Sequence, residues 1–421
     1  MTGSDERTSL LPPSIDESSK DSWEALRKCA RPLLAANFMA IVSGLNDGNL
    51  GIILPELKRY YDIPDQTVSL FFLFNAVGFF SAAGMNGYLV HRLGQLGTVY
   101  LGSCLLLVVY ILLMNGFIFP VMSVLMLFQG AGVALLDGGM NVYVANVPMA
   151  TVMLNVLHAL YGVGAMLSPL VGTTLLSYGL SWRYIYVFLA GVACFNLILV
   201  AVCFRSKDLE SAESEDPKID NSTVRRDALM NRMTILGAAY ILVYAGVEVT
   251  MGGWSYTYLY EGRHGDRIAM GRVTAGYWAG LAVGRLVLGY LAGKFGEKRM
   301  ITLYTTITAV LLVVIWIVPN VWISSICIVL TGFAIGPMFP TTVSLASKVL
   351  PRNMHATSIG FMSAFGAGGA ALFPFFTGQL AGHYGILIMP LTCLVMAIAM
   401  QLIWGFMPSE HQKSITLRSA Q

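Results

Sequence analysis

Four ionisable residues, Asp47, Asp137, Glu248 and Arg285, lie inside long apolar runs of this 421-residue chain. A charge at the middle of a bilayer costs about 2.5 to 3.5 kcal/mol on insertion scales, so each must be paired, face a water-filled cavity, or both. Asp47 belongs to the polar run Asn46-Asp47-Gly48-Asn49, which a lipid-facing helix could not tolerate, so it must look inward. Asp137 precedes Asn141 by one helical turn, with Gly138-Gly139 between; a carboxylate and an amide then share one face beside a thinned backbone. Such a pair can hold a polyhydroxylated solute through several hydrogen bonds. An acid sheltered from bulk water is also suited to exchanging a proton near neutral pH, and coupling follows when the solute binds only one protonation state. The alternative is that either acid bonds a neighbouring Asn or amide and only holds helices together.

Glu248 shares a helical face with Tyr244 and Ser255. It reads either as cavity lining or as an ion pair or hydrogen bond that steadies the chain at Gly252-Gly253. Arg285 has a stem long enough to snorkel or to reach an acid on a neighbouring helix, and a structural role is expected for it. Trp254, Tyr161, Tyr258, Trp278 and Phe365 offer flat apolar faces on which the C–H face of a pyranose can stack. Trp254, beside the glycine pair, stands out among them. His158 is either a proton relay or a satisfied core histidine, and Asn75 and Gln129 read as polar contacts between helices. Neither a metal-ligand cluster, a nucleotide phosphate loop nor a grouped nucleophile, base and oxyanion donor is legible. Metal, cofactor, ATP and enzymatic chemistry are therefore not expected.

The elements that must position these residues follow from composition. Hydrophobic residues make up 56% of the chain and charged ones only 12%, about half the charge of a soluble domain. That balance excludes a cytosolic enzyme, a disordered chain and a disulfide-stapled secreted domain. Lys and Arg number 26 against 23 Asp and Glu, with no basic block to track phosphates, so nucleic acid is not a partner. Apolar runs near 32–56, 67–90, 97–115, 117–145, 152–178 and 182–204, and again near 234–258, 270–294, 300–318, 321–347, 355–381 and 385–406, each approach or exceed the ~20 residues that cross a bilayer as helix. The expected architecture is all-α and integral to the membrane, with twelve spans. It divides into an N-terminal tail over 1–31, a six-helix bundle over 32–204, a charged linker over 205–233, a second six-helix bundle over 234–407 and a tail over 408–421. If both termini are cytoplasmic, that side carries nineteen basic residues in short segments against six on the other, which is the orientation the positive-inside bias favours. The sequon at Asn221 would then stay unmodified.

The halves repeat one another. Gly87-Tyr-Leu-Val-His-Arg92-Leu-Gly94 after the second span recurs 202 residues later as Gly289-Tyr-Leu-Ala-Gly-Lys294-Phe-Gly296, and Asp47 meets Glu248 at nearly the same offset. Duplicated six-helix halves are a common way to build a central solute site. Small-residue stripes and the matched Pro169 and Pro374 suit helices that slide and kink as the halves rock.

The Gly-x-Leu-x-x-Arg/Lys-x-Gly repeats on a twelve-span chain with a central linker resemble the major facilitator superfamily, over essentially the whole chain. Gly44-Leu45-Asn46-Asp47, Leu136 to Asn141, Leu157-His158-x-x-Tyr161 and Glu248-x-x-x-Gly252-Gly253-Trp254 are similar to its fucose:proton symporter branch and the eukaryotic sugar-transporter-like relatives. The resemblance implies two pseudo-symmetric six-helix bundles and alternating access. It makes the acids of spans 1 and 4 the coupling and substrate residues, and Gly87, Arg92, Gly94, Gly289, Lys294 and Gly296 a gating motif. His91 and Gly293 stand where the family's loop usually carries Asp.

The expectation is a secondary active transporter, proton-coupled (sodium being the alternative ion), moving a small polar solute such as a hexose as a monomer in the lipid bilayer. An exporter of drugs or secondary metabolites and a non-transporting membrane sensor are the other readings. Glu6-Arg7-Thr8-Ser9-Leu10-Leu11 resembles an acidic dileucine signal read by a sorting adaptor. It suggests an endomembrane or vacuolar address, with the plasma membrane as alternative.

Overall fold

The computed structural model describes residues 26–204, 222–351 and 354–408. Leu10 and Leu11, Asn221 and most of the two tails and the linker lie outside the described residues. The N-terminal half contains α1 (Ala30–Tyr61), the single turn α2 (Asp65–Val68), α3 (Leu70–Leu113), α4 (Phe119–Ala145), α5 (Ala150–Ser177) and α6 (Arg183–Cys203). After α7 (Ser222–Met230), the second half contains α8 (Arg232–Thr257), α9 (Arg267–Phe295), α10 (Glu297–Ile317), α11 (Val321–Ile335), α12 (Met338–Val349), α13 (His355–Tyr384) and α14 (Met389–Phe406).

Nine helical stretches among the described residues are long and apolar enough to cross a bilayer. One of them, Asp65–Leu113, supplies two spans, because α3 breaks at Gly94, whose φ of 72° leaves the helical region. The first and eighth spans, α1 and α9, complete the twelve. They fall short of the apolar threshold because they carry the Asn46-Asp47-Gly48-Asn49 run and Arg285. The chain is thus a multi-pass membrane protein. Its apolar belt includes the exposed side chains of Val108, Phe195, Val202, Val310, Trp316 and Leu402, which only lipid can cover.

Packing obeys a two-fold relation between the halves. In the first, α1 lies against α5 and α6, α3 against α4 and α6; in the second, α8 lies against α13 and α14, α9 against α11, and α10 against α14. Between the halves, α3 meets α13, α9 meets α5, and α1 meets α8. Each of these contacts has its counterpart under exchange of halves. The residues that permit such approach are glycines: a Cβ at Gly164 would sit 2.2 Å from the Ile41 carbonyl oxygen on α1, and one at Gly369 only 1.7 Å from that of Leu242 on α8.

Polar contacts between the halves gather at the end opposite the repeated loops. There Arg267 reaches Glu56 at 2.6 Å and Lys58 reaches Glu261 at 2.7 Å. The Arg59 guanidinium donates to the Tyr260 hydroxyl at 3.0 Å, and the Gln379 amide donates to the Gln66 carbonyl at 2.9 Å. Gly51 packs on the backbone of Gly252 and Gly253. At the loop end a Cβ added at Gly84, Gly87, Gly293 or Gly360 would meet nothing within 4 Å, and Met85, Tyr88 and Leu93 are exposed. Among the described residues, the ion pairs between the halves lie at one end.

Two spans depart from simple helix. The seventh ends in a π turn over Tyr258–Gly262, where the Tyr258 hydroxyl and Arg263 both donate to the Ile315 carbonyl. The tenth, expected as one run, divides into α11 and α12 around Gly336-Pro337, since proline withholds the donor that would continue the ladder.

Candidate functional site

Asp47 is exposed although it sits in the middle of α1. Its two side-chain donors come from α5 and from α1 itself. Tyr161 of α5 donates its hydroxyl to one carboxylate oxygen at 2.6 Å, and Asn46 donates its amide to the other at 3.0 Å. The Asn46 amide has only one orientation available. Its oxygen accepts from the Tyr110 hydroxyl of α3 at 2.8 Å and from the Gln129 amide of α4, so its NH2 group must face Asp47. Both oxygens of Asp47 are therefore used as acceptors, and three helices fix its rotamer.

Asp137 of α4 is half-buried and accepts the hydroxyl proton of Ser43 at 2.8 Å. Ser43 stands one turn before Asp47 on α1, so the same helix face carries the partner of one acid and the other acid itself. Asp137 and Asp47 lie close enough to feel each other's charge. Asn141 of the same helix uses one of its two N–H donors on the Asp137 backbone carbonyl at 2.9 Å, a bond back to the preceding turn that any mid-helix Asn can make.

On the other half, Glu248 of α8 is 8% exposed and pairs with Arg285 of α9 at 2.7 Å. The Tyr277 hydroxyl donates to the Glu248 backbone carbonyl at 2.8 Å. Of the two sequence readings for Glu248, this geometry is the ion pair. The pair remains in electrostatic reach of the first half, since Asp47 and Tyr161 both feel Glu248. His158 is exposed on α5, one turn from Tyr161, and feels Arg285.

Trp254 departs from its expected place. It is 0% exposed, its indole N–H donates to the Pro374 carbonyl at 2.9 Å, and its ring lies on Phe72 and over Gly378. With every face packed and its donor used, it offers no platform to a solute in this conformation; it fills the contact between halves at the closed end. Trp278, packed against Gly252, and Tyr258, bonded to Ile315, are likewise interior. Tyr161 alone of the aromatics singled out bonds directly to one of the acids.

The loop residues occupy matched turns. Gly94 and Gly296 both take positive φ, 72° and 100°, while Arg92 lies over the Tyr88 ring and Lys294 over that of Phe295. Gly87 has open space beside it, and a Cβ at Gly289 would meet only Pro337 at 4.0 Å. Gln129 makes the polar contact between helices that its sequence suggests, to Asn46 of α1, whereas Ser43 and Tyr110 are not singled out by the sequence reading. The spacing Ser43-x-x-Asn46-Asp47 on one helix face was the available signal.

The chain is 29% identical over 415 residues to "Bypass of stop codon protein 6" of Saccharomyces cerevisiae, covering 89% of this chain and 82% of that one. It is 25% identical to a putative glucose/galactose transporter of Helicobacter pylori strain J99, over 80% of this chain and 84% of that protein. The crystal structure of the E. coli fucose:proton symporter superposes with a TM-score of 0.62 at 17% identity, covering 90% of this chain and 98% of that one. The family model of the Major Facilitator Superfamily matches residues 36–262 and 236–420. With two six-helix halves, a matched loop motif in each and a family match running almost end to end, the chain belongs to the Major Facilitator Superfamily.

Proposed function

We propose that the protein is a proton-coupled symporter of a small polar solute of the hexose class, with both termini in the cytoplasm and the crevice open to that side in the conformation described. The observation that carries this reading is Asp47: an exposed acid at mid-depth of a membrane-spanning helix, with no ion pair among the described residues, held by Tyr161 and Asn46. Acids at that depth are retained where they handle an ion or a solute. Asp137, with Ser43 on one oxygen and Asp47 nearby, supplies acceptor capacity for sugar hydroxyls between the halves. Relatives carrying glucose/galactose and fucose:proton names support the substrate class. The ion pairs at the far end suit a carrier that seals one side while the other admits solute.

The test is uptake of labelled glucose, galactose and fucose into proteoliposomes, with and without an imposed pH gradient. Accumulation that collapses when the gradient is removed supports the reading. Uptake of no sugar, or uptake indifferent to the gradient, rejects it; counterflow of amphipathic cations in place of sugars would point to an exporter of the same fold.

A further inference from the structure

Arg232 opens α8, and Lys298 and Arg299 lie in the first turn of α10, all at the loop end of the second half. Arg232 and Lys298 converge on the last turn of α14. The Arg232 guanidinium donates to the Phe406 carbonyl at 3.0 Å. The Lys298 ammonium donates to the Trp404 carbonyl and lies 5.1 Å from the centre of the Trp404 ring, while the indole N–H returns a bond to the Lys298 carbonyl at 3.1 Å. Arg299 is exposed. Among the described residues none of these three cations is in an ion pair. The adjoining Glu297 is taken by Lys348 and Ser344 of α12, at 2.9 and 2.7 Å. Carbonyls at a helix C-terminus supply only partial negative charge, so this corner of the molecule keeps a net positive charge.

Deeper in the bilayer, a polar row continues from the corner down a face that looks at lipid. Lys298, Thr302 and Thr306 follow one another at intervals of four on α10, which puts Thr302 about 6 Å and Thr306 about 12 Å further along the axis. Both threonines are exposed. Their hydroxyls donate back to the preceding turn. Gln401 of α14 donates to the Thr306 hydroxyl at 3.5 Å and keeps a second N–H to offer. Around this row Leu303, Val310, Ile398 and Leu402 are exposed, an apolar surface of the kind that acyl chains cover. Polar groups set against hydrocarbon are costly unless they find a partner, and the fold does not require them here. At the 202-residue offset that relates the halves, α3 carries Leu96, Tyr100 and Cys104 where α10 has Lys298, Thr302 and Thr306, and α6 carries Leu199 where α14 has Gln401. Yet α3 packs on α6 as α10 packs on α14.

We propose that this corner binds one anionic phospholipid, with its phosphate-bearing headgroup on Arg232, Lys298 and Arg299, its ester oxygens toward the Gln401 amide and its chains over Leu303 and Leu402. Charge selects the headgroup: a cluster of cations at the membrane surface attracts anionic lipid, whereas a zwitterionic headgroup brings a cation of its own. The polar row beneath selects a lipid over a soluble phosphate, because only a lipid presents oxygens at that depth. Neither the solute nor the proton site enters this inference, so it stands or fails independently of the transport reading.

The test is native mass spectrometry of the full chain in detergent, titrated with phosphatidylserine, with phosphatidylcholine of the same chains, and with glycerophosphoserine, which has the headgroup without the chains. Phosphatidylserine should bind ahead of phosphatidylcholine, and glycerophosphoserine at the same concentration should not displace it. Arg232→Gln and Arg299→Gln should each weaken phosphatidylserine binding about fivefold, the worth of one cation near the surface. Gln401→Leu should weaken the ester-linked lipid and spare its ether-linked analogue, and Arg92→Gln, which removes a cation from the loop end of the other half, should change nothing. Equal binding of the two lipids overturns the proposal. So do displacement by glycerophosphoserine, an unchanged preference in both arginine variants, and an equal loss in Arg92→Gln. Lys298 is left in place because it also holds the end of α14. If Arg232→Gln does not fold, Arg299→Gln decides, and an unchanged affinity there is fatal.

Discussion

Two acids on opposite halves are treated differently by their surroundings, and the difference is testable residue by residue. Glu248 has an ion partner at 2.7 Å. Replacing it with Leu leaves a buried guanidinium unpaired, a loss of about 3–5 kcal/mol by analogy with broken buried pairs, seen as a lower melting temperature in detergent; an unchanged melting curve would show that the pair contributes nothing. Asp137 has a neutral partner, Ser43, so Asp137→Asn should leave the fold intact and separate its two possible roles. Solute binding that falls while pH dependence survives makes it a solute ligand, whereas loss of pH dependence makes it a second proton carrier. Asp47, Asp137, Glu248 and Arg285 were all legible in the sequence, because an ion in an apolar run declares its own cost. Their partners were less so. Glu248 and Arg285 are 37 residues apart, and Ser43 and Asp137 are 94; no local pattern encodes a contact across helices. Trp254 shows the converse, since an aromatic beside two glycines looks the same whether its face is offered to a solute or packed against Phe72.

Among the elements, the repeated loops were the most legible, and the structure gives the reason. Gly94 and Gly296 adopt φ of 72° and 100°, where a side chain is strained, so the last glycine of each motif is a backbone requirement. Replacing either with Ala should cost about 1–2 kcal/mol and lower thermal stability. Gly87→Ala and Gly289→Ala, with no positive φ and space to spare, should not; equal losses at all four positions would refute a conformational role for Gly94 and Gly296. The break between α11 and α12 and the π turn after α8 were not legible. Hydropathy runs on through Gly336-Pro337, and a π turn leaves the apolar pattern nearly unchanged.

For the whole molecule, the fold was readable because duplication writes the same signals twice, but the state of the carrier was not. Which end is closed depends on ion pairs spread over distant helices: Glu56 with Arg267 and Lys58 with Glu261. Surface pairs of this kind contribute about 0.2–1 kcal/mol each, enough together to bias two conformations of similar energy. The double variant Glu56→Gln with Glu261→Gln should therefore raise the labelling rate of Ser69→Cys, a near-isosteric change at a buried position of the same end, from the far side, and high salt should do the same without the double variant. A labelling rate that does not change in the double variant would mean that apolar packing alone holds that end. Burial pushes Lys58 down, but the bonds from Asp65 and Glu261 outweigh it and raise its pKa above the ordinary lysine value. That contribution is fully present below the ordinary lysine range and is lost only as pH rises through the raised value, so the seal should loosen at strongly alkaline pH.

The most direct measurement compares the parent with Asp47→Asn in the same proteoliposomes, following sugar counterflow at equal pH and net accumulation under a pH gradient. If Asp47 carries the proton, the variant keeps counterflow and loses accumulation. A variant that still accumulates sugar against its gradient when the proton gradient is the only driving force contradicts the account.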